Sequence, residues 1–111
     1  MKTSELTGAA LDWAVAKCEG AVGINDIVPW FKPSTDWAQG GPIIEREWLD
    51  ITPWPNESRE EMRWHCQQHD SGGDCAQYGP TPLIAAMRCY CCAKLGDEID
   101  IPEELCQQQN S

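Results

Sequence analysis

The sequence predicts an α+β fold, a single small domain in which at least two helices pack on a small, mostly antiparallel sheet. Three observations predict it. Gly79-Pro80-Thr81-Pro82 running on to Gly96 reads as a helix with both ends specified, Thr3 to Lys17 carries a second helical period, and Ile43 to Ile51 alternates as a strand before Pro53 and Pro55. A chain of 111 residues supports one core with little area for a second. Residues 1–106 are therefore assigned to one domain, and Gln107 to Ser111 to a frayed tail.

In the first helix Thr3 or Ser4 is the expected N-cap, Leu6, Ala9, Ala10, Trp13 and Ala14 fall at helical spacing, and Gly20 is the stop. No period is sustained from Ala21 to Pro42. Within that segment, Ser34-Thr35-Asp36-Trp37-Ala38-Gln39-Gly40-Gly41-Pro42 offers an N-cap residue, one helical turn and two glycines that permit positive φ. In the expected strand, Ile43, Glu45 and Glu47 alternate with Ile44, Arg46 and Trp48. Ser58-Arg59-Glu60-Glu61 has a capping-box pattern, which predicts a short helix toward His65.

The last helix is the best specified. Thr81 caps it, and Pro82 takes the first position, where there is no N–H bond to lose. Leu83, Ile84, Met87, Tyr90 and Cys91 make one apolar stripe, Arg88 leaves from its flank, and Gly96 ends it. Beyond it the sequence allows a short strand at Glu98 to Ile101 and a helical turn from Pro102.

Eighteen acidic residues against eight basic ones give a formal net charge of -10, so a duplex phosphate backbone would meet general repulsion and direct nucleic-acid binding is not expected. The same charge suits a solvated surface or a phosphate-mimicking face for a basic protein. Six tryptophans against one phenylalanine is a lopsided aromatic set, expected mostly in or beside the core. Seven cysteines raise the question of a disulfide framework, but the number is odd. The opening residues also lead into a helix pattern broken by Asp12 and Lys17, not into the apolar run of a signal peptide. Nor does any run approach the roughly 18 apolar residues needed to cross a membrane. The expectation is a cytosolic protein with reduced thiols, in which Cys18, Cys89, Cys91 and Cys92 act as small apolar side chains.

Three blocks together carry a family resemblance. They are Met1-Lys2-Thr3-Ser4-Glu5-Leu6 with Ala10-Leu11-Asp12-Trp13-Ala14-Val15-Ala16; Ser34-Thr35-Asp36-Trp37 with Gly41-Pro42-Ile43-Ile44-Glu45-Arg46-Glu47; and Gly79 to Arg88 with Lys94-Leu95-Gly96-Asp97-Glu98 and Pro102-Glu103-Glu104-Leu105. The chain resembles the NinX family of lambdoid phages and prophages over well over half its length. The resemblance implies a small phage accessory protein made in the cytoplasm of a bacterial host, and it brings no catalytic residue with it. Trp54 to Tyr78 does not match the family pattern.

Three constellations can carry chemistry. The first joins the Ser34–Gly41 loop to the helix start: the N–H groups of a capped helix mouth attract anions, Gly40 and Gly41 let backbone approach a ligand, Ser34, Thr35 and Thr81 add hydroxyls, and Trp37 adds a stacking face beside Asp36. Arg88 is a remoter member, roughly 9 Å further along the axis than Pro82. The plain alternative is a capped turn and an ordinary helix start, since no P-loop pattern occurs. The second is zinc: His65 and His69 on one helical face, with Cys66 and Cys75 across a Ser71-Gly72-Gly73 turn, at imperfect spacing. The third is catalysis by Cys66 or Cys75 with a histidine base, or by Glu45 and Glu47 on one strand face.

The leading expectation is a non-catalytic, cofactor-free binding protein that captures a small anionic, nucleotide-like host molecule and so blunts a host defence. The competing classes are an acidic inhibitor or DNA mimic acting on a basic host protein, through a face of Glu57, Glu60, Glu61, Asp97, Glu98, Asp100, Glu103 and Glu104, and a small zinc-binding module. A homo-oligomer is expected from the apolar surface that so many tryptophans bring.

Overall fold

A computed structural model describes residues 2–20, 30–54, 58–68 and 76–101. Over these the chain has three α-helices and one three-stranded antiparallel sheet: α1 (Gly8–Cys18), α2 (Trp37–Glu47), β1 (Leu49–Pro53), β2 (Trp64–Gln68), β3 (Gln77–Gly79) and α3 (Pro82–Leu95). Single 3-10 turns at Thr3–Glu5 and Glu60–Met62 complete it. The fold is α+β.

α3 is the central element, in contact with all three strands and with both α1 and α2. The Thr81 hydroxyl oxygen accepts the Ile84 N–H at 3.1 Å, Pro82 occupies the first turn, and Gly96 ends the helix at a φ of 94°. A cap of this kind stabilises a helix by about 1 kcal/mol. The apolar stripe is wider than the sequence suggested, because Ala85 through Cys92 are all buried, as befits a helix covered all round. Tyr90, Met87, Leu6, Leu11 and Val15 are the largest side chains in this core.

The expected Ile43–Ile51 strand is replaced over most of its length by helix. Asp36 caps α2, its Oδ1 accepting the Ala38 N–H at 3.0 Å, and the helix runs through Pro42 to Glu47. Trp48, at a φ of 55°, then turns the chain into β1. Ile43 can bury beside Gly40 only at helical spacing, and that burial outweighs the apparent alternation. Strand order is β1-β2-β3, with Leu49 opposite Gln68, Ile51 opposite Cys66, Pro53 opposite Trp64, and Cys66 opposite Gln77. Pro53 is tolerated because β1 is an edge.

Two helix starts also differ. Thr3, expected to cap the first helix, is buried and donates from its hydroxyl to Gly96 O at 2.7 Å and from its amide to Asp97 O at 2.9 Å, so α1 begins only at Gly8. The Ser58 box yields only the 3-10 turn, with no side-chain cap, and His65 lies on a strand. Around Glu98 the structure has an isolated bridge to Lys2. Pro102 and the tail lie outside the described residues. Among the described residues, no helix is long and apolar enough to cross a membrane.

Candidate functional site

The turn before α2 and the mouth of α3 meet. Between them lies a cleft of about 220 Å³, lined by Ser34, Thr35 and Trp37 on one side and by Thr81, Pro82, Leu83 and Ile84 on the other. Trp37, at the first position of α2, is 56% exposed and forms one wall. α1 holds the floor: Asp12 Oδ1 accepts the Ser34 N–H at 2.9 Å in a buried setting. The Ser34 hydroxyl lies beside the same carboxylate, but without a partner in good hydrogen-bond geometry. Burial lifts the Asp12 carboxyl above its ordinary value, against the opposing pull of Ser34 and of Lys32.

The polar resources of the cleft are few. Thr81 uses its oxygen as the helix cap and keeps its O–H for donation. Leu83, at the second helical position, has an N–H with no partner inside the helix. The Thr35 hydroxyl makes a long 3.5 Å contact to Lys32 O. No arginine or lysine is among the lining residues. Such a site offers an aromatic wall, an apolar edge and two or three donors. Its volume is below the roughly 300 Å³ of ordinary small-molecule pockets, which suits one planar ring better than a whole nucleotide.

The remaining residues predicted with this site sit elsewhere. Asp36 spends both carboxylate oxygens locally, on Ala38 N and on Gln39 Nε2 at 2.9 Å. Neither Gly40 nor Gly41 has positive φ, so the expected Gly-Gly turn is helix. Gly40 serves packing: a Cβ there would lie 2.5 Å from Pro33 O and 2.6 Å from Leu83 Cδ2. Arg88 does not leave from a flank. It is buried, donating from Nε to Leu6 O at 2.8 Å and from Nη1 to Tyr78 O at 2.7 Å. Desolvation lowers its pKa. Asp12, Leu83 and Ile84 escaped the sequence reading; the last two were findable, since the residues after a helix cap line its mouth.

A family profile described as Bacteriophage P22, NinX matches residues 2–94, a span that takes in the Trp54–Tyr78 stretch expected from the sequence to fall outside the family pattern. The chain belongs to the NinX family. Membership makes it a phage accessory protein. No curated protein matches it.

The other constellations fare differently in this NinX-family fold. His65 and Cys66 are strand neighbours on opposite faces. Cys66 is fully buried, whereas His65 stacks on Trp54 at 5.7 Å and tilts against Tyr78 at 5.1 Å. The helical face expected to join His65 to His69 is therefore a strand at His65; His69 and Cys75 lie outside the described residues. Among the described residues, no group of three His, Cys, Asp or Glu side chains is placed to hold a metal ion. The Cys66 thiol is pushed well up by its hydrogen bond with Cys89 and by burial, which makes it a poor nucleophile. Glu45 and Glu47 belong to α2, and Glu47 pairs with Arg46 at 2.9 Å and Lys94 at 3.8 Å.

A larger cavity of about 580 Å³ opens among Lys2, Ser4, Gln77, Leu95, Gly96, Asp97 and Glu98. It sits at the C-terminal end of α3, where the helix dipole and two carboxylates disfavour an anion. Most tryptophans were expected in or beside the core, yet Trp30, Trp37 and Trp48 are 67%, 56% and 71% exposed.

Proposed function

We propose that this phage accessory protein acts by binding, without catalysis, and that its ligand is a small nucleotide-like host molecule whose base stacks on Trp37. The observation that carries the reading is the cleft itself, where an exposed indole faces a capped helix mouth across a space of single-ring size. The base would lie between Trp37 and Ile84 and accept a hydrogen bond from Thr81, while the Leu83 N–H and the helix dipole favour negative charge nearby. With no cation in the wall, the phosphates of such a ligand would point to solvent. Capture of a host signal to blunt a defence is the role that suits a phage accessory protein of this kind, by analogy alone.

The test is a thermal-shift panel of nucleosides, nucleotides and cyclic nucleotides on the wild type and Trp37→Ala. The expected result is a melting temperature that rises with at least one purine or pyrimidine ligand and is insensitive to it in Trp37→Ala. Absence of any shift across the panel removes the reading.

One observation favours a second reading. Trp30 and Trp48, both outside the cleft, expose broad indole surface on a chain of net charge -10, which suits contact with a basic host protein or with a second copy. That reading predicts a partner whose affinity falls steeply with ionic strength, or a mass in solution above that of one chain.

A further inference from the structure

We propose that the larger cavity, at the C-terminal end of α3, is a second binding site, and that its ligand is a linear organic polycation of the diamine or polyamine class. The site is separate from the Trp37 cleft and owes nothing to it. It is built where the start of the chain meets the end of α3. Gly96, at a φ of 94°, ends the helix, and Thr3 fastens the turn that follows by donating to Gly96 O at 2.7 Å and to Asp97 O at 2.9 Å. Lys2 then bridges Glu98. These contacts hold Asp97 and Glu98, both exposed, on the wall of a space of about 580 Å³.

Three properties of that wall select a cation with N–H donors. The last carbonyls of a helix have no donors within it and carry the negative end of its dipole, and Leu95, the final residue of α3, lines the cavity. Asp97 and Glu98 set two carboxylates against the ammonium of Lys2. The third property is Gln77. It pairs with Cys66 in the ladder, so its side chain shares the core side of the sheet with that fully buried thiol. Gln77 is 8% exposed and lines the cavity, and its side-chain amide bonds to no described residue. An amide placed so deeply costs free energy until a ligand supplies its partner.

Size and lining then choose among cations. Magnesium and calcium ions need about six oxygen ligands or more, and among the described residues no three His, Cys, Asp or Glu side chains converge on one point. The volume is instead that of a small organic ligand. A primary ammonium presents three N–H donors to acceptors spread around it. One ammonium donates to Gln77 Oε1 and to the carbonyls at the end of α3, the methylenes lie against Leu95, and a second ammonium meets Asp97 and Glu98.

The experiment titrates the full isotope-labelled chain with putrescine and with spermidine, against butanediol and magnesium chloride at matched ionic strength. The expected result is saturable movement of the Gln77 side-chain amide and of the Leu95, Gly96 and Asp97 backbone amides with both amines, and none there with the diol or the magnesium salt. Asp97→Asn combined with Glu98→Gln should weaken binding about tenfold, Glu61→Gln should leave it unchanged, and Lys2→Gln should tighten it. All four positions are exposed, so the fold tolerates these changes. Unsaturating shifts spread over Glu60, Glu61 and the other acidic positions would show only the general attraction of a chain of net charge -10, and would overturn the proposal. A silent Gln77 amide, an equal response to magnesium, or movement of the Trp37 indole in its place would do the same.

Discussion

The Asp12 carboxylate accepts the Ser34 N–H at 2.9 Å, so a residue of α1 fixes the loop that forms one side of the cleft. Asp12→Ala leaves that buried amide unpaired and should destabilise the fold by about 1–3 kcal/mol in urea titrations. Asp12→Asn keeps an acceptor and should lose less. The pH dependence has a definite sign. Burial raises the folded-state pKa of Asp12 above 3.8, so protonation favours the folded state. As pH falls through the folded value toward 3.8, wild type should gain stability relative to Asp12→Asn.

Arg88 should behave as a core residue. Its guanidinium bridges the carbonyls of Leu6 and Tyr78, tying the segment before α1 and strand β3 to α3. Arg88→Ala should cost about 3 kcal/mol of unfolding free energy, and Arg88→Lys should recover only part of it, because an ammonium cannot reproduce the forked geometry. An unchanged urea midpoint for both would contradict this assignment.

Glu19, Arg46 and Tyr90 join the ends of α1 and α2 to α3. Arg46 reaches Glu19 at 3.0 and 2.8 Å, and the Tyr90 hydroxyl donates to Glu19 at 2.7 Å. Burial raises the Glu19 carboxyl, but the bonds from Arg46 and Tyr90 outweigh it and hold the pKa below 4.5. The stabilisation is present above 4.5 and lost as pH falls through the lower folded value. Since the Arg46 side chain is 50% exposed, its pairing with Glu19 is worth no more than about 1 kcal/mol and fades with salt. Melting curves of Glu19→Gln should lie below wild type at neutral pH and converge with it in acid.

Trp48 supplies a change of opposite sign. It closes α2 in the left-handed region, at a φ of 55°, with most of its indole in solvent. Trp48→Gly relieves that strain and should raise stability by about 1 kcal/mol. A loss would show that the indole packs more firmly than its exposure indicates.

The parts of the fold that were legible are those with a local chemical signature. Thr81, Pro82 and Gly96 mark α3 because caps and N1 prolines act within one turn. Ile43 to Glu47 misled because its side chains satisfy alternation and helical spacing alike; burial of Gly40 under Pro33 and Leu83, a contact distant in sequence, decides between them. β2 and β3 gain their identity from pairing with each other and with β1, which no local pattern announces. The approach of the Ser34 turn to the Thr81 helix mouth was anticipated from residue chemistry. The burial of Arg88 was not, because its acceptors are backbone carbonyls, and any residue has one.

The most direct test of the binding account is a titration of isotope-labelled protein with nucleosides and nucleotides, followed through its backbone amide and indole N–H resonances. The account predicts saturable shifts at Ser34, Thr35, the Trp37 indole, Leu83 and Ile84, with Lys2 and Asp97 at the other cavity unmoved. Shifts confined to that other cavity, or none with any ligand at millimolar concentration, would contradict it.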